Sequence, residues 1–165
     1  MCLVLFSFEP PTDHKFVLFA NRDEFYQRPA RAMDWWKEDP TILAGQDIEA
    51  GGMWLGISKD GRFGALTNFR ESSLGKNKFI SRGWLIKSYL EQERLDAQTF
   101  FSQFNGDDFA GFSLLLGDNR GVHYLSNRSS RNENLTKGTH VLANRLLNSR
   151  SSKAGVVSND FEQER

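Results

Sequence analysis

Residues 2–8 read CLVLFSF and residues 15–21 read KFVLFAN, two apolar runs joined by EPPTDH at 9–14. Two prolines and an Asp between segments rich in Val, Leu and Phe make a turn between strands, so this stretch reads as a β-hairpin. Pairing Phe8 with Lys15 places Cys2 opposite Asn21. The hairpin therefore brings the chain's single cysteine beside the cluster Asn21-Arg22-Asp23-Glu24. Because strand residues alternate between faces, Asn21 and Asp23 are expected on one side, with Arg22 and Glu24 on the other.

A second hairpin is signalled by MWLGIS at 53–58 and RFGALTN at 62–68, joined through Lys59-Asp60-Gly61. Asp-Gly favours a tight turn, and pairing Lys59 with Arg62 sets Met53 opposite Asn68. The Gly51-Gly52 pair just before it permits unusual backbone angles or the close approach of another group. ISRGWLIKSYLEQ at 80–92 carries Ile80, Trp84, Leu85 and Tyr89 at helical spacing, and Asp96 caps a second helix with an aromatic face at Phe100, Phe101 and Phe104. A third hairpin turns at Asp118-Asn119-Arg120-Gly121, and GTHVLAN from Gly138 reads as a further strand. From Leu146 the pattern suggests the start of a helix without a clear stop. Antiparallel strands with a helical insertion make a layered α+β protein with helices on one side of a sheet.

With 165 residues the chain is read as a single domain, 1–165, large enough to bury roughly two-thirds of its unfolded surface. Twenty-one basic side chains balance twenty-one acidic ones. No basic field attracts phosphate backbones or anionic lipid, so nucleic acid is not an expected partner. The apolar N-terminal run is too short for a signal peptide core or a bilayer span, so a cytoplasmic location without stable membrane insertion is expected. A lone Cys forms no internal disulfide, and His14, His123 and His140 have no metal-ligand spacing, so no metal is expected. The four tryptophans read as core or groove lining.

Cys2 admits two readings. It is either a small hydrophobe that begins a buried strand or, once Met1 is removed, a nucleophile that carries its own base. An α-amine is roughly a tenth neutral at pH 7, whereas an ordinary Lys offers well under a thousandth, so the amine is the better proton acceptor by about two orders of magnitude. A carboxylate beside that amine would orient it, and Asp23 is the preferred candidate; Asn21 and Arg22 can bind a carbonyl or carboxylate of the substrate. Asn68 and Asn144 each end a strand-like segment, ALTN and VLAN, where Asn serves either turn chemistry or donation to a developing oxyanion.

The segments MCLVLF, ANRDEFYQRP, GGMWLGIS, ALTNFR and LTKGTHVLANRLLN resemble, in that order, the NRDE family, also called the transport and Golgi organization protein 2-like family. That family is similar to the N-terminal nucleophile (Ntn) hydrolases, which implies an αββα sandwich of two antiparallel sheets between helical layers. Cysteine members such as bile salt hydrolases and penicillin V acylases cleave unactivated amides. The resemblance implies Cys2 as nucleophile, Asp23 as the aspartate after the second strand, and Asn68 and Asn144 as oxyanion donors. In those enzymes the arginine precedes the aspartate by a few residues, whereas here Arg22 adjoins it. A further catalytic arginine lies beyond the length of this chain, so the 165 residues are expected to be the N-terminal part of a longer fold. The implied function is hydrolysis of a small-molecule amide without a cofactor. The alternative is a non-enzymatic protein that handles haem, lipid or acyl-CoA on the same scaffold, although no haem motif is present in the residues.

Overall fold

A computed structural model describes residues 2–9, 13–71, 79–92, 95–130 and 132–149. Strands β1 (Leu3–Phe8) and β2 (Phe16–Asn21) form the first hairpin, with Phe8 opposite Phe16 and Leu3 opposite Asn21. The pairing differs by one residue from that expected from the turn. Glu9 adopts a left-handed φ of 46° and its N–H donates to the Lys15 carbonyl at 2.8 Å, so Lys15 stays in the loop. A one-residue slip exchanges the two faces of a strand. Arg22, rather than Asn21, therefore follows the ladder opposite Cys2.

The chain continues through β3 (Ala30–Trp35), β4 (Ile42–Asp47), β5 (Leu55–Ser58) and β6 (Phe63–Asn68). The second hairpin is also one residue off the expected register, with Ile57 opposite Phe63 and Leu55 opposite Ala65. Its loop is Lys59-Asp60-Gly61, and Gly61 at φ 86° supplies the left-handed residue that a three-residue hairpin loop requires. Helix α1 (Gly83–Glu91) begins three residues later than Ile80, which instead bridges to Phe109; α2 (Ala97–Ser102) is capped by Asp96, whose side chain accepts from the Thr99 N–H at 2.9 Å. Strands β7 (Phe112–Gly117) and β8 (Val122–Ser126) make the third hairpin at the expected Asp118–Gly121 turn. Short β9 (Glu133–Asn134) and β10 (Gly138–Leu142) follow. The helix suggested after Leu146 falls largely on 150–165, outside the described residues.

Two antiparallel sheets result, β10-β1-β2 and β3-β4-β5-β6-β7-β8-β9. Leu85, Ile86, Tyr89 and Leu90 of α1 and Phe100 of α2 pack with Leu66, Phe112, Leu114 and Leu116 on one face of the larger sheet. On its other face Phe63, Ala65, Leu115 and Tyr124 meet Val4, Phe6 and Leu142 of the smaller sheet. The order is helices, seven-stranded sheet, three-stranded sheet: a mixed α+β fold in which the antiparallel sheets dominate.

Gly52 and Gly83 lie back to back, so that a Cβ on Gly52 would stand 2.7 Å from the Gly83 carbonyl carbon. With the Met53 N–H donating to the Gly83 carbonyl at 3.2 Å, this contact fixes where α1 starts against the sheet. The other end of α1 is held by Arg62, 8% exposed, whose guanidinium donates to the carbonyls of Tyr89 (2.7 Å), Leu90 (2.9 Å) and Gln92. These are among the carbonyls a helix end leaves without an internal partner. Replacing Arg62 by Met should cost about 2–4 kcal/mol in urea unfolding, because buried acceptors lose charged donors. Arg62→Lys should recover only part of it, since an ammonium cannot span several carbonyls as a guanidinium does.

Candidate functional site

Cys2 stands half-buried just before β1, and its sulfur contacts the Asp23 backbone carbonyl at 3.9 Å. It opens on a cavity of about 340 Å³ that Arg22, Glu24, Arg28, Asp47, Trp54, Asn68 and Arg82 also line. The apolar part of the wall comes from Met53, Leu66, Phe79, Ile80 and Ala110. Arg22 lies over the Trp54 indole, its Cζ 4.3 Å from the ring centroid. The Nη2 atom of Arg22 is buried and has no hydrogen-bond partner. Arg28 donates from Nε to Asp47 at 2.8 Å, a pair that ties the end of the ANRDEFYQRP segment to β4.

Asp23 lies on the other side of the strand. It lines an adjoining space of about 630 Å³ with Phe25, Arg70, Glu71 and Asn144, and Asn68 and Arg82 border both spaces. Asn144 donates from Nδ2 to the Asn68 backbone carbonyl at 2.7 Å, while its Oδ1 is buried without a partner. In this arrangement Asn144 steadies Asn68, whose own side chain stands at the boundary of the two spaces. Asn21 is exposed at the end of β2 and lines neither space.

Of the residues expected from sequence, Cys2, Arg22 and Asn68 share one cavity, while Asp23, Asn68 and Asn144 share the next. Arg22 and Glu24 line the Cys2 cavity and Asp23 the adjoining space, whereas Asn21, expected to share a side with Asp23, lines neither. Sequence reasoning gave no role to Arg28, Asp47 or Arg82. Arg82 is placed by the Gly52–Gly83 contact, and only the glycine pair at 51–52 hinted at such an approach. His14 is in a loop, with His123 and His140 on strands, and no cluster of three or more metal-ligating side chains occurs among the described residues. Among the same residues no helix is long and apolar enough to cross a membrane.

Electrostatics at Cys2 are opposed. Burial pushes the thiol pKa up from its ordinary value, the positive amino terminus pulls it down, Glu24 adds to the rise and Arg22 and Arg82 to the fall; the net shift is upward. The thiol is thus harder to ionise than an ordinary cysteine, and a base is needed to make it a nucleophile. For Arg82 burial dominates and lowers the pKa, against the nearby carboxylates of Glu71 and Glu24. At Asp47 burial alone would raise the carboxyl, but Arg28 and the Ala50 and Glu49 N–H groups outweigh it and hold it below the ordinary range.

The fold places this cysteine-fronted cavity of about 340 Å³ at the end of an antiparallel α+β scaffold, and that cavity is the candidate site. The family model for Transport and Golgi organisation 2 matches residues 1–164, and the chain belongs to that family. It is 36% identical over 162 residues to the Transport and Golgi organization protein 2 homolog of Bos taurus, covering 89% of this chain and 58% of the relative. The Homo sapiens homolog is 35% identical over the same shares. Drosophila melanogaster Transport and Golgi organization protein 2 is 30% identical over 99 residues, 54% of this chain and 35% of that protein. The chain spans 58% of the length of the mammalian relatives it matches.

Iodoacetamide labelling of Cys2, followed by mass spectrometry, should be slow at pH 7 and keep rising through and beyond the pH range in which an ordinary thiol saturates. Arg22→Gln should move the midpoint further up, and Glu24→Gln should move it down. A midpoint below that of an ordinary thiol would contradict the assignment of burial as the dominant effect.

Proposed function

We propose that this chain carries the nucleophile half of an Ntn-type cysteine amidohydrolase acting on a small-molecule amide. The observation that carries the reading is the placement of Cys2. The second residue of the chain heads a strand in stacked antiparallel sheets, and its sulfur opens on a cavity of about 340 Å³ instead of being sealed in the core. That volume falls within the range of small-molecule sites. The helix, sheet, sheet order is also what an αββα sandwich would present before its second helical layer is added.

In this reading removal of Met1 frees the Cys2 α-amine, which takes the thiol proton as the sulfur attacks the amide carbonyl. The carbon–sulfur bond forms, the carbonyl oxygen becomes an oxyanion, and the Asn68 side-chain amide donates to it. The C–N bond then breaks. The leaving amine receives the proton held by the α-ammonium, and water hydrolyses the thioester to regenerate the thiol. The Asp23 backbone carbonyl, 3.9 Å from the sulfur, would accept from the α-ammonium, with the Asp23 carboxylate acting from the adjoining space, and Asn144 positions Asn68 through its hydrogen bond to the Asn68 carbonyl.

The carrier alternative uses the cavity without the chemistry. Among the described residues no histidine lines it, so the soft ligands a haem iron would meet there are the Cys2 sulfur and the buried Met53 thioether. The discriminating experiment is the intact mass of the protein from its native host, combined with trapping of an acyl adduct. The hydrolase reading expects a chain lacking Met1 and a hydroxylamine-sensitive acyl group on Cys2 after exposure to cleavable amides such as penicillin V. It expects both the adduct and turnover to vanish in Cys2→Ala. Retained Met1 would overturn it by locking the α-nitrogen in a peptide bond. Retained Met1 together with saturable haem binding, lost in Cys2→Ala and followed in the Soret band, would favour the carrier.

A further inference from the structure

The Cys2 cavity contains more cationic groups than its own anions account for. Three guanidiniums line it, from Arg22, Arg28 and Arg82, against the carboxylates of Glu24 and Asp47. Arg28 and Asp47 are joined at 2.8 Å and neutralise each other. Glu24 accepts from the adjacent Phe25 N–H at 3.0 Å and is not in an ion pair with Arg22 or Arg82 among the described residues.

Arg82 uses one arm, donating from Nη1 to the Gly111 carbonyl at 3.0 Å, and its guanidinium makes no ion pair among the described residues. Arg22 is held by the face of Trp54, which fixes the plane of the guanidinium without using its donors. Its Nη2 is buried and has no acceptor. A buried charged donor without a partner is costly, and groups of this kind in native folds signal a missing acceptor. Burial lowers the Arg82 pKa further than the nearby Glu71 and Glu24 carboxylates restore it, as fits a guanidinium that no carboxylate contacts directly among the described residues.

We infer that Arg22 and Arg82 form a carboxylate-binding subsite in the Cys2 cavity, and that the ligand is a small amphipathic acid whose apolar part lies against Trp54, Met53 and Phe79. Guanidiniums match carboxylates through paired N–H donors, and the cavity holds one small molecule of this kind. The inference deepens the hydrolase reading and rests on it for one point only: the substrate amide would carry its carboxylate close to the scissile bond, as an N-acyl amino acid does. Glu24 is the internal competitor. Its carboxylate lines the same wall and repels the incoming anion, which gives the subsite a test of opposite sign.

The experiment uses N-acetyl-phenylalanine and its neutral amide, titrated by calorimetry against the Cys2→Ala chain so that no turnover interferes. The carboxylate should bind saturably and at least about tenfold more tightly than the amide, the scale of one hydrogen bond to a charged group. Arg22→Gln and Arg82→Gln should each remove that preference, and Glu24→Gln should strengthen carboxylate binding. Should Arg82→Gln fail to fold for want of its Gly111 bond, the opposed effects of Arg22→Gln and Glu24→Gln decide the matter. Equal binding of acid and amide, absence of saturable acid binding, or a preference that survives Arg22→Gln would overturn the subsite. The hydrolase reading fails separately: retained Met1 with the acid preference intact sinks the chemistry and leaves the subsite, whereas Cys2-dependent turnover without the preference does the reverse.

Discussion

Directional bonds across the two sheets are what the site depends on. Thr67 in β6, fully buried, donates from its hydroxyl to the Ala143 carbonyl at 2.6 Å, and Ser113 in β7, also fully buried, donates to the Arg145 carbonyl at 2.9 Å. Between them the Arg70 N–H donates to the Asn144 carbonyl at 2.9 Å while the Asn144 side chain bonds back to Asn68. Apolar contacts alone would let two stacked sheets slide, since burial has no direction. Buried hydrogen bonds are costly to leave unmade, so this seam gives the stack one alignment. Through β10 and β1 the same alignment carries Cys2 to the edge of the larger sheet, next to Asn68.

Within that frame the register of a single hairpin decides the chemistry of the cavity. The loop between β1 and β2 retains Lys15 because Glu9 turns left-handed, and Arg22 then shares the sulfur's side in place of Asn21. The cavity becomes cationic and aromatic around Arg22 and Trp54, and the Asp23 side chain moves to the adjoining space. Asn68 and Arg82 border both, so Cys2 and Asp23 flank a shared wall.

Much of this was legible in the residues. Alternating or continuous apolar runs around Pro- and Gly-rich turns gave all three hairpins, and Asp96 marked its helix by a capping bond that forms. Strand β3 was not legible, because each of its six residues is exposed and no apolar alternation exists to read. Strand β4 has a Gly and polar residues in its second half, which hide it equally well. Registers slipped by one because a left-handed loop residue, Glu9 or Gly61, inserts a position that composition does not reveal. Arg82 could not be assigned to the site from sequence, since a close packing of two glycines thirty-one positions apart in sequence brings it there. Membership of the Transport and Golgi organisation 2 family accords with the motif order, and the match spans nearly the whole chain.

The account stands on Arg22, and not Asn21, facing the sulfur of Cys2, and disulfide trapping measures this directly. Single replacements Asn21→Cys and Arg22→Cys, each in the otherwise unchanged chain, are exposed to mild oxidation and the extent of cross-linking to Cys2 is read by mass spectrometry. Cross-strand partners place their Cβ atoms within disulfide reach, whereas a residue on the opposite face directs its side chain away. The structure predicts rapid closure to position 22 and little to position 21; preferential closure to position 21 would contradict the register and, with it, the cationic cavity built upon it.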